Sequence, residues 1–328
     1  MDRSLGYPAN FDSRLTALTT GLSYEAFFFN RRLQTAVTAK HFLIGSRAKM
    51  LHNFYLRDIK TIHIDRGEWG GNFAACYRIT PLWTVKGSVA SEVRIPTSEE
   101  LLGNSFNILP SPDLLPERNK SVNAGVLYRR SFSDDRVWEA EFNVYMSELT
   151  DMVRFTPDLL PTMARYTNFG QVRTMGIEAE IKADVTRWCY LYANGTWQDL
   201  RDRRRTFPNS KAPNPTYDLR IPNIPYLMAN FGGELHRANL FGRGQNTRLL
   251  LDASYVHRYS YDFEMGAYLE KLIPTSLTFD AAIEQSFANR RWTLTLKVKN
   301  LTDRETVSEF NRPLPGRTCS VKLRYLLR

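Results

Sequence analysis

Residues 171–183 read QVRTMGIEAEIKA, and the regular alternation of this stretch decides the fold of the chain. Apolar residues occupy every second position, at Met175, Ile177, Ala179, Ile181 and Ala183. The positions between them hold Thr174, Gly176, Glu178, Glu180 and Lys182. A period of two predicts a β-strand with one apolar and one polar face. Because glutamate and lysine are costly to bury in hydrocarbon, the polar face must meet water, while the apolar face can meet lipid.

The same alternation recurs along most of the chain. Residues 137–149 and 291–302 repeat it, and each apolar face begins with a tryptophan, Trp138 or Trp292. With turn-forming residues as boundaries, the pattern predicts about 13 strands, each long enough to cross a bilayer at a tilt. They are expected near 15–29, 33–43, 71–79, 82–95, 121–132, 137–149, 166–183, 188–200, 226–236, 247–260, 275–287, 291–302 and 317–327.

The connections between these strands alternate between short and long. Residues 133–136 and 184–187 are short turns, whereas 45–70 and 200–225 are long connections. A membrane barrel has this rhythm, because one rim needs only tight turns while the other carries the binding loops. The sequence therefore predicts an all-β fold. It is a partial transmembrane antiparallel β-barrel of about 13 strands, with short periplasmic turns and long extracellular loops.

Composition fits this fold and limits the possible partners. The chain has 328 residues, of which 43% are hydrophobic, and no stretch approaches the ~18 apolar residues of a transmembrane helix. Its net charge of +10 is scattered except for one cluster, Arg201, Arg203, Arg204 and Arg205. No nucleic-acid-binding motif accompanies this charge, so nucleic acid is not an expected partner. The cluster is either a solvated loop or a contact for anionic lipid headgroups or an anionic ligand.

No constellation of catalytic or metal-binding residues stands out, so neither an enzyme nor a cofactor or metal is expected. Three widely spaced cysteines form no disulfide framework or metal motif. They are Cys76, Cys189 and Cys319. The connection at 45–70 holds His52 and His63 with three carboxylates, but their spacing matches no known metal site. A solvated polar loop is the preferred interpretation.

Three segments in order resemble one family. Residues 92–130, EVRIPTSEELLGNSFNILPSPDLLPERNKSVNAGVLYRR, are similar to the Arg-x-Pro…Glu-Leu…Pro-x-Leu-x-Pro-Glu stretch of TonB-dependent outer-membrane receptors. Residues 166–184, YTNFGQVRTMGIEAEIKAD, resemble their Asn-x-Gly…Gly-x-Glu strand. Residues 298–325, VKNLTDRETVSEFNRPLPGRTCSVKLRY, resemble their closing Asn-Leu-x-Asp…Pro-Gly-Arg…Tyr pattern.

The resemblance implies a barrel of about twenty-two strands in the bacterial outer membrane, filled by an amino-terminal plug. Such receptors import iron chelates, cobalamin or glycans with energy from TonB. About 13 strands would match the carboxy-terminal part, so residues 1–328 are expected to form one barrel domain with no plug domain. The TonB complex would act only through a missing amino-terminal region. Outer-membrane lipid and lipopolysaccharide would surround the wall.

A ligand site is expected where loop aromatics, arginines and inward polar groups meet at the long-loop rim. The candidates are Arg94, Glu99, Glu100, Arg165, Tyr166, Arg201, Tyr217 and Tyr261. The resemblance implies an iron chelate, most often a ferric siderophore, as the expected ligand, with cobalamin, haem and oligosaccharide left open. Ferric siderophores are often anionic, and arginine suits them by charge and geometry. Two other interpretations stay open. One is an inactive or split-gene barrel remnant, and the other is a soluble β-rich enzyme or glycan-binding protein with a second layer over its apolar face.

Overall fold

The computed structural model is almost entirely β-structure. It describes residues 14–53, 58–104, 107–157, 163–206, 212–263, 271–288, 291–309 and 311–327. In this part of the chain the elements are β1 (Arg14–Phe28), β2 (Leu33–Asn53), β3 (Asp58–Arg78), β4 (Trp83–Arg94), α1 (Ser98–Leu102), β5 (Ile108–Leu109), β6 (Glu117–Ser131), β7 (Val137–Thr150), β8 (Val153–Pro157), β9 (Ala164–Asn168), β10 (Val172–Thr186), β11 (Cys189–Asp202), β12 (Leu227–Ala238), β13 (Asn246–Val256), β14 (Tyr259–Ser260), β15 (Leu272–Ile273), β16 (Ser276–Phe287), β17 (Trp292–Lys299), β18 (Val307–Glu309), β19 (Arg312–Pro313) and β20 (Thr318–Tyr325). None of its helices has the length and apolar character needed to cross a bilayer, a finding that concerns helices only.

Thirteen strands form one antiparallel sheet, which we call the wall. Its order is β1-β2-β3-β4-β6-β7-β10-β11-β12-β13-β16-β17-β20. Connecting segments form three small sheets, β5-β9-β8, β14-β15 and β18-β19. Within the described residues β1 pairs only with β2, and β20 pairs only with β17, so the wall is open. The predicted all-β, partial barrel is confirmed.

The strand register gives the wall one apolar and one polar face. Directly opposite residues share a face, so Val144, Ile177 and Trp197 form an apolar row across three strands. Near the other edge, Leu296 and Val321 are opposite each other and are 48% and 72% exposed. In the described part of the chain no second layer covers this face. A soluble sandwich would cover it, whereas a barrel wall presents it to lipid.

Charged side chains on the polar face are paired across strands. Lys86 on β4 forms an ion pair with Glu141 on β7. On β13, the guanidinium of Arg248 donates from Nε to Oε1 of Glu234 at 2.8 Å and from Nη1 to Oε1 of Glu284 at 3.3 Å. These ion pairs compensate charges on the polar face, which the sequence alternation predicts to be in contact with water.

The hairpin of β2 and β3 extends further than the sequence pattern predicted. The strands expected at 33–43 and 71–79 continue to Asn53 and begin at Asp58, so most of the expected long loop is paired. Residues 45–47 of β2 also pair with β1, and beyond them β2 and β3 pair with each other, so the backbone groups of this stretch are satisfied. The expectation of a solvated loop at 45–70 is therefore corrected to a β-hairpin.

Other differences concern short elements and one interruption. The single strand expected at 166–183 is two strands, because Gly170 adopts φ +101° between β9 and β10. The short helix α1 and the two- to five-residue strands of the small sheets were not expected. Elements of this length show no detectable period. The remaining wall strands lie within a few residues of their expected positions.

Candidate functional site

The end of β4 carries the first group of candidate residues, arranged around Arg94. The Arg94 guanidinium donates from Nε to Oε2 of Glu117 at 2.7 Å and from Nη1 to Oε2 of Glu100 at 3.0 Å. Glu100 also closes a capping box that starts α1, because its Oε2 accepts from the backbone N of Thr97 at 2.7 Å. Glu99 lies in the first turn of the same helix. Arg94 and α1 are therefore held as one unit.

Glu100 stays ionised in this arrangement. Burial alone would raise the pKa of its carboxyl, but hydrogen bonds from Arg94 and Thr97 outweigh burial and hold the pKa of Glu100 below its usual value. The Arg94 guanidinium already serves two carboxylates, so its charge is compensated within the protein. An anion would have to compete with these carboxylates for Arg94.

A recess of about 240 Å³ opens beside Arg94 on the polar face, and we call it the rim recess. Its charged and amide lining residues are Lys40, Asn72, Glu92, Arg94, Glu117 and Asn119. Asn119 Oδ1 is buried and has no hydrogen-bond partner among the described residues. Two cations balance two carboxylates in this lining, so the rim recess suits a ligand arm that both donates and accepts hydrogen bonds.

A second group lies where β11 ends at Asp202. The Asp202 side chain is fully buried and accepts hydrogen bonds from Arg204 Nη2 at 2.7 Å, Thr216 Oγ1 at 2.6 Å and Asn214 Nδ2 at 3.0 Å. Burial alone would raise the pKa of Asp202, but these donors hold that pKa below its usual value. The guanidinium of Arg204 also lies over the ring of Phe169, 3.6 Å from its centroid. Asp202 thus fastens the segment after β11 to the rim.

The arginine cluster around this point is largely paired. Arg201 Nε donates to Asp199 Oδ2 at 2.6 Å, and Arg203 forms an ion pair with Asp218. Arg203 also lies over the ring of Tyr217, with Cζ 5.2 Å from the centroid. Candidates Arg201 and Tyr217 therefore belong to one folded segment that is stabilised by its own acidic residues.

The other candidates occupy separate positions. Arg165 and Tyr166 are on β9, where Tyr166 packs edge to face against Phe155 with a centroid distance of 5.1 Å. Tyr261 follows β14, and its carbonyl oxygen accepts from Asn223 Nδ2 at 3.1 Å. The eight candidates therefore form several groups along the rim. The group around α1 adjoins one recess, and Tyr217 lines another, of about 180 Å³.

Sequence reasoning missed Asp202, Lys40 and Asn119. Lys40 and Asn119 lie in phase with the polar positions of β2 and β6, so the alternation could have assigned them to the inner surface. Asp202 gave no such signal, because its partners come from the following loop and its burial depends on the folding of that loop.

The histidines and carboxylates of the β2–β3 hairpin are spread along it. His63 is opposite Arg47, and Glu68 forms an ion pair with Arg118. The side chain of His52 lies outside the described part. In the part of the chain that the structure describes, no group of three or more His, Cys, Asp or Glu could hold a metal ion.

An antiparallel wall with an apolar outer face, charged pairs on its polar face and long loops at one rim is the architecture of one part of a transmembrane β-barrel. Residues 9–301 match the family described as "TonB dependent receptor-like, beta-barrel". The chain therefore belongs to the TonB-dependent receptor family and contains part of its β-barrel. No curated protein matches the chain in sequence.

Solved structures with the same fold include several transporters. "Copper transporter OprC" superposes with a TM-score of 0.71 at 15% identity, covering 95% of this chain and 48% of that one. The siderophore receptor PiuA from Acinetobacter baumannii gives a TM-score of 0.71 at 14% identity, with 96% and 44% covered. The ferric citrate transporter FecA gives 0.67 at 14% identity, with 96% and 46% covered. At these identities the likeness shows the fold alone, and the chain spans about half the length of these proteins.

Proposed function

We propose that this chain is part of a TonB-dependent receptor that takes up a scarce ligand across the bacterial outer membrane, and that the ligand is a ferric siderophore. Residues 1–328 then form one barrel domain, surrounded by outer-membrane lipid and lipopolysaccharide. The TonB complex would supply energy through another part of the receptor. The family match supports the receptor class, and the names of similar structures, which include siderophore receptors, support the choice of ligand.

The observation that carries the binding role is the rim recess. It lies on the polar face at the long-loop end, where a molecule arriving from outside first meets the wall. Its volume of about 240 Å³ is below the roughly 300–1,000 Å³ of complete small-molecule pockets. The rim recess would therefore hold one arm of the ligand. Other contacts would come from candidates in the long connections, Arg165, Tyr166, Tyr217 and Tyr261. Arg201 is not included, because the register places it beside Arg173 on the apolar face of the wall.

Binding of radiolabelled ferric siderophores to cells that produce the complete gene product tests this proposal. Lys40→Ala and Glu92→Gln remove recess groups that have no ion-pair partner among the described residues. Loss of a hydrogen bond to a charged group costs about 1.5–3 kcal/mol, so the affinity should fall roughly 10- to 150-fold. Lys322→Ala, on the polar face of distant β20, is the matched control and should bind like the unmodified protein.

If the recess variants and the control bind the ferric siderophore with equal affinity, the rim recess is not part of the binding site. In the same way, if alanine substitution of Arg94, Glu99 or Glu100 leaves saturable binding unchanged, the substituted residue is not part of the site. A correctly inserted protein that binds none of the tested chelates would contradict the siderophore assignment.

An oligosaccharide is the second candidate ligand, and one observation favours it. The buried Oδ1 of Asn119 and the carboxylate of Glu92 are acceptors that sugar hydroxyls can satisfy. The same cells and variants, tested with labelled oligosaccharides, separate the two ligand classes, because only the true ligand should respond to both recess substitutions.

A further inference from the structure

A row of charged side chains crosses the apolar face of the wall near its long-loop end. The row is defined by the strand register, in which each member lies directly opposite the next. Its members are Lys120 on β6, Glu148 on β7, Arg173 on β10, Arg201 on β11 and Arg220 in the segment after β11. We call this set the outer charge row. The residues are far apart in sequence, and only the sheet brings them into line.

The outer charge row marks the upper edge of the apolar band. The neighbouring row toward the short turns contains Val122, Met146 and Met175. At the opposite end of the band, Ala183 lies opposite Trp138. The ten residue steps from Arg173 to Ala183 rise about 25 Å, at roughly 3.3 Å per residue and a tilt of about 40°. This equals the height of about 25 Å expected for the lipid-facing band, so the row lies at the level of the headgroups.

Cations outnumber carboxylates at this level. Asp199, one step below the row, accepts from Arg201 Nε at 2.6 Å and from Arg220 Nε at 2.7 Å. One carboxylate thus positions two guanidinium groups without cancelling both charges. Lys120 and Arg173 have no ion-pair partner in the described part of the chain. The row holds four cations, and three carboxylates lie beside them: Glu148, Asp199, and Asp218, whose Oδ2 is 3.6 Å from Arg201 Nη1.

Two recesses on this surface have contrasting linings. A polar recess of about 180 Å³ lies at Arg173 and is lined also by Glu148, Arg203 and Arg205. A wider, mostly apolar recess of about 520 Å³ lies below Lys120, and its apolar lining residues are Phe73, Val89, Val122 and Met146. A ligand that fits both would have anionic groups at the row and hydrocarbon below it.

We propose that the outer charge row is a binding site for the phosphate groups of lipopolysaccharide, the phosphorylated glycolipid of the outer leaflet. This inference rests on the proposed outer-membrane location. Guanidinium groups bind phosphate through two parallel hydrogen bonds, and each cation near an anionic surface contributes about a tenfold gain in affinity or less. The acyl chains occupy the apolar recess while the phosphates contact Lys120 and Arg173.

The test uses the complete gene product, purified from outer membranes in nonionic detergent. Its probes are bisphosphorylated lipid A and lipid A from which both phosphates have been removed. The bisphosphorylated form should bind more tightly, and the double variant with Lys120→Gln and Arg173→Gln should weaken its binding about tenfold or more. Arg237→Gln is the matched control, because Arg237 is exposed on the same face at the short-turn end. It should leave binding unchanged.

Glu148→Gln provides a result of opposite sign. Removing this carboxylate from the row should tighten binding of bisphosphorylated lipid A several-fold, which a folding defect could not produce. Equal binding of both lipids, or of the double variant and unmodified protein, would overturn the proposal. Displacement by millimolar inorganic phosphate would overturn the assignment to a lipid. The lipid-binding assay measures no uptake. A protein that binds bisphosphorylated lipid A as expected but transports no siderophore in a separate assay would therefore contradict only the proposed function.

Discussion

Asp202→Asn should release the segment that folds over the rim after β11. In the folded protein the Asp202 carboxylate is fully buried and is paired with Arg204, whose side chain is only 14% exposed. The substitution preserves the size and one acceptor oxygen of the side chain. It removes the negative charge and places an amide donor group beside a guanidinium that can only donate. Arg204 is then a buried cation without a compensating charge.

The expected magnitude follows from burial. Breaking one partner of a buried ion pair costs about 3–5 kcal/mol, and the retained acceptor oxygen places this case near the lower value. A loss of about 3 kcal/mol raises the population of locally opened segments roughly 150-fold. The exposed ion pair of Arg203 with Asp218 gives the comparison. Because Asp218 is 46% exposed, Asp218→Asn should cost about 0–1 kcal/mol, a change of no more than about fivefold.

Hydrogen–deuterium exchange of residues 212–226 in the complete gene product measures this opening. Exchange in the Asp202→Asn variant should accelerate by roughly two orders of magnitude, while strands β6 and β7 keep their protection. Asp218→Asn should remain within about fivefold of the unmodified protein. Similar exchange in both variants would mean that Asp202 does not fasten the segment, and the reasoning from its burial would be refuted.

Three further predictions concern the wall and the rim. Ile177→Lys, near the middle of the apolar band, should lower the free energy of unfolding in lipid by about 2–4 kcal/mol, whereas Thr196→Lys on the polar face should change it little. Gly176→Ala would place a Cβ 2.4 Å from Tyr145 Oη and should cost about 1–3 kcal/mol, which Tyr145→Ala should partly restore in the double variant. The pKa of Glu100 is lowered, so its stabilising effect on α1 is present above its usual pKa of 4.5. The protection factors of the α1 amides, which correct exchange for its intrinsic pH dependence, should stay constant from pH 7 to about 5 and fall as the pH drops below about 4.

The wall could be predicted from sequence because lipid on one side and water on the other impose a strict period of two. The alternation around Ile177 and Glu178 determines which side chains lie on which face before any pairing is known. The same criterion failed in the β2–β3 hairpin, where polar residues lie on both faces and no longer indicate which face is buried. His63 and Asp65 are exposed on one face, whereas Ser46 and Glu68 are buried on the other. The criterion also missed the interruption at Gly170, which depends on a single backbone angle.

The rim was less predictable, because its groups are formed by partners that are distant in sequence. Arginine in a loop suggested anion binding, yet Arg94 is held by Glu100 and Glu117, and Arg203 is paired with Asp218. A sequence shows charge but not whether the charge is already compensated. The outer charge row was also not predictable from the sequence, since only the strand register brings its residues into line.

Strand direction limits how the open wall can be completed. All twelve neighbour pairs along the thirteen strands are antiparallel, so β1 and β20 run in the same direction. Pairing β1 with β20, either within the chain or with a second copy in the same orientation, would therefore be parallel. Antiparallel closure requires an odd number of additional strands between the two edges. A barrel of about twenty-two strands, the number that the family resemblance implies, would supply nine. Nine is odd, so the direction of the edge strands agrees with a wall that belongs to such a barrel and argues against a barrel made of two copies.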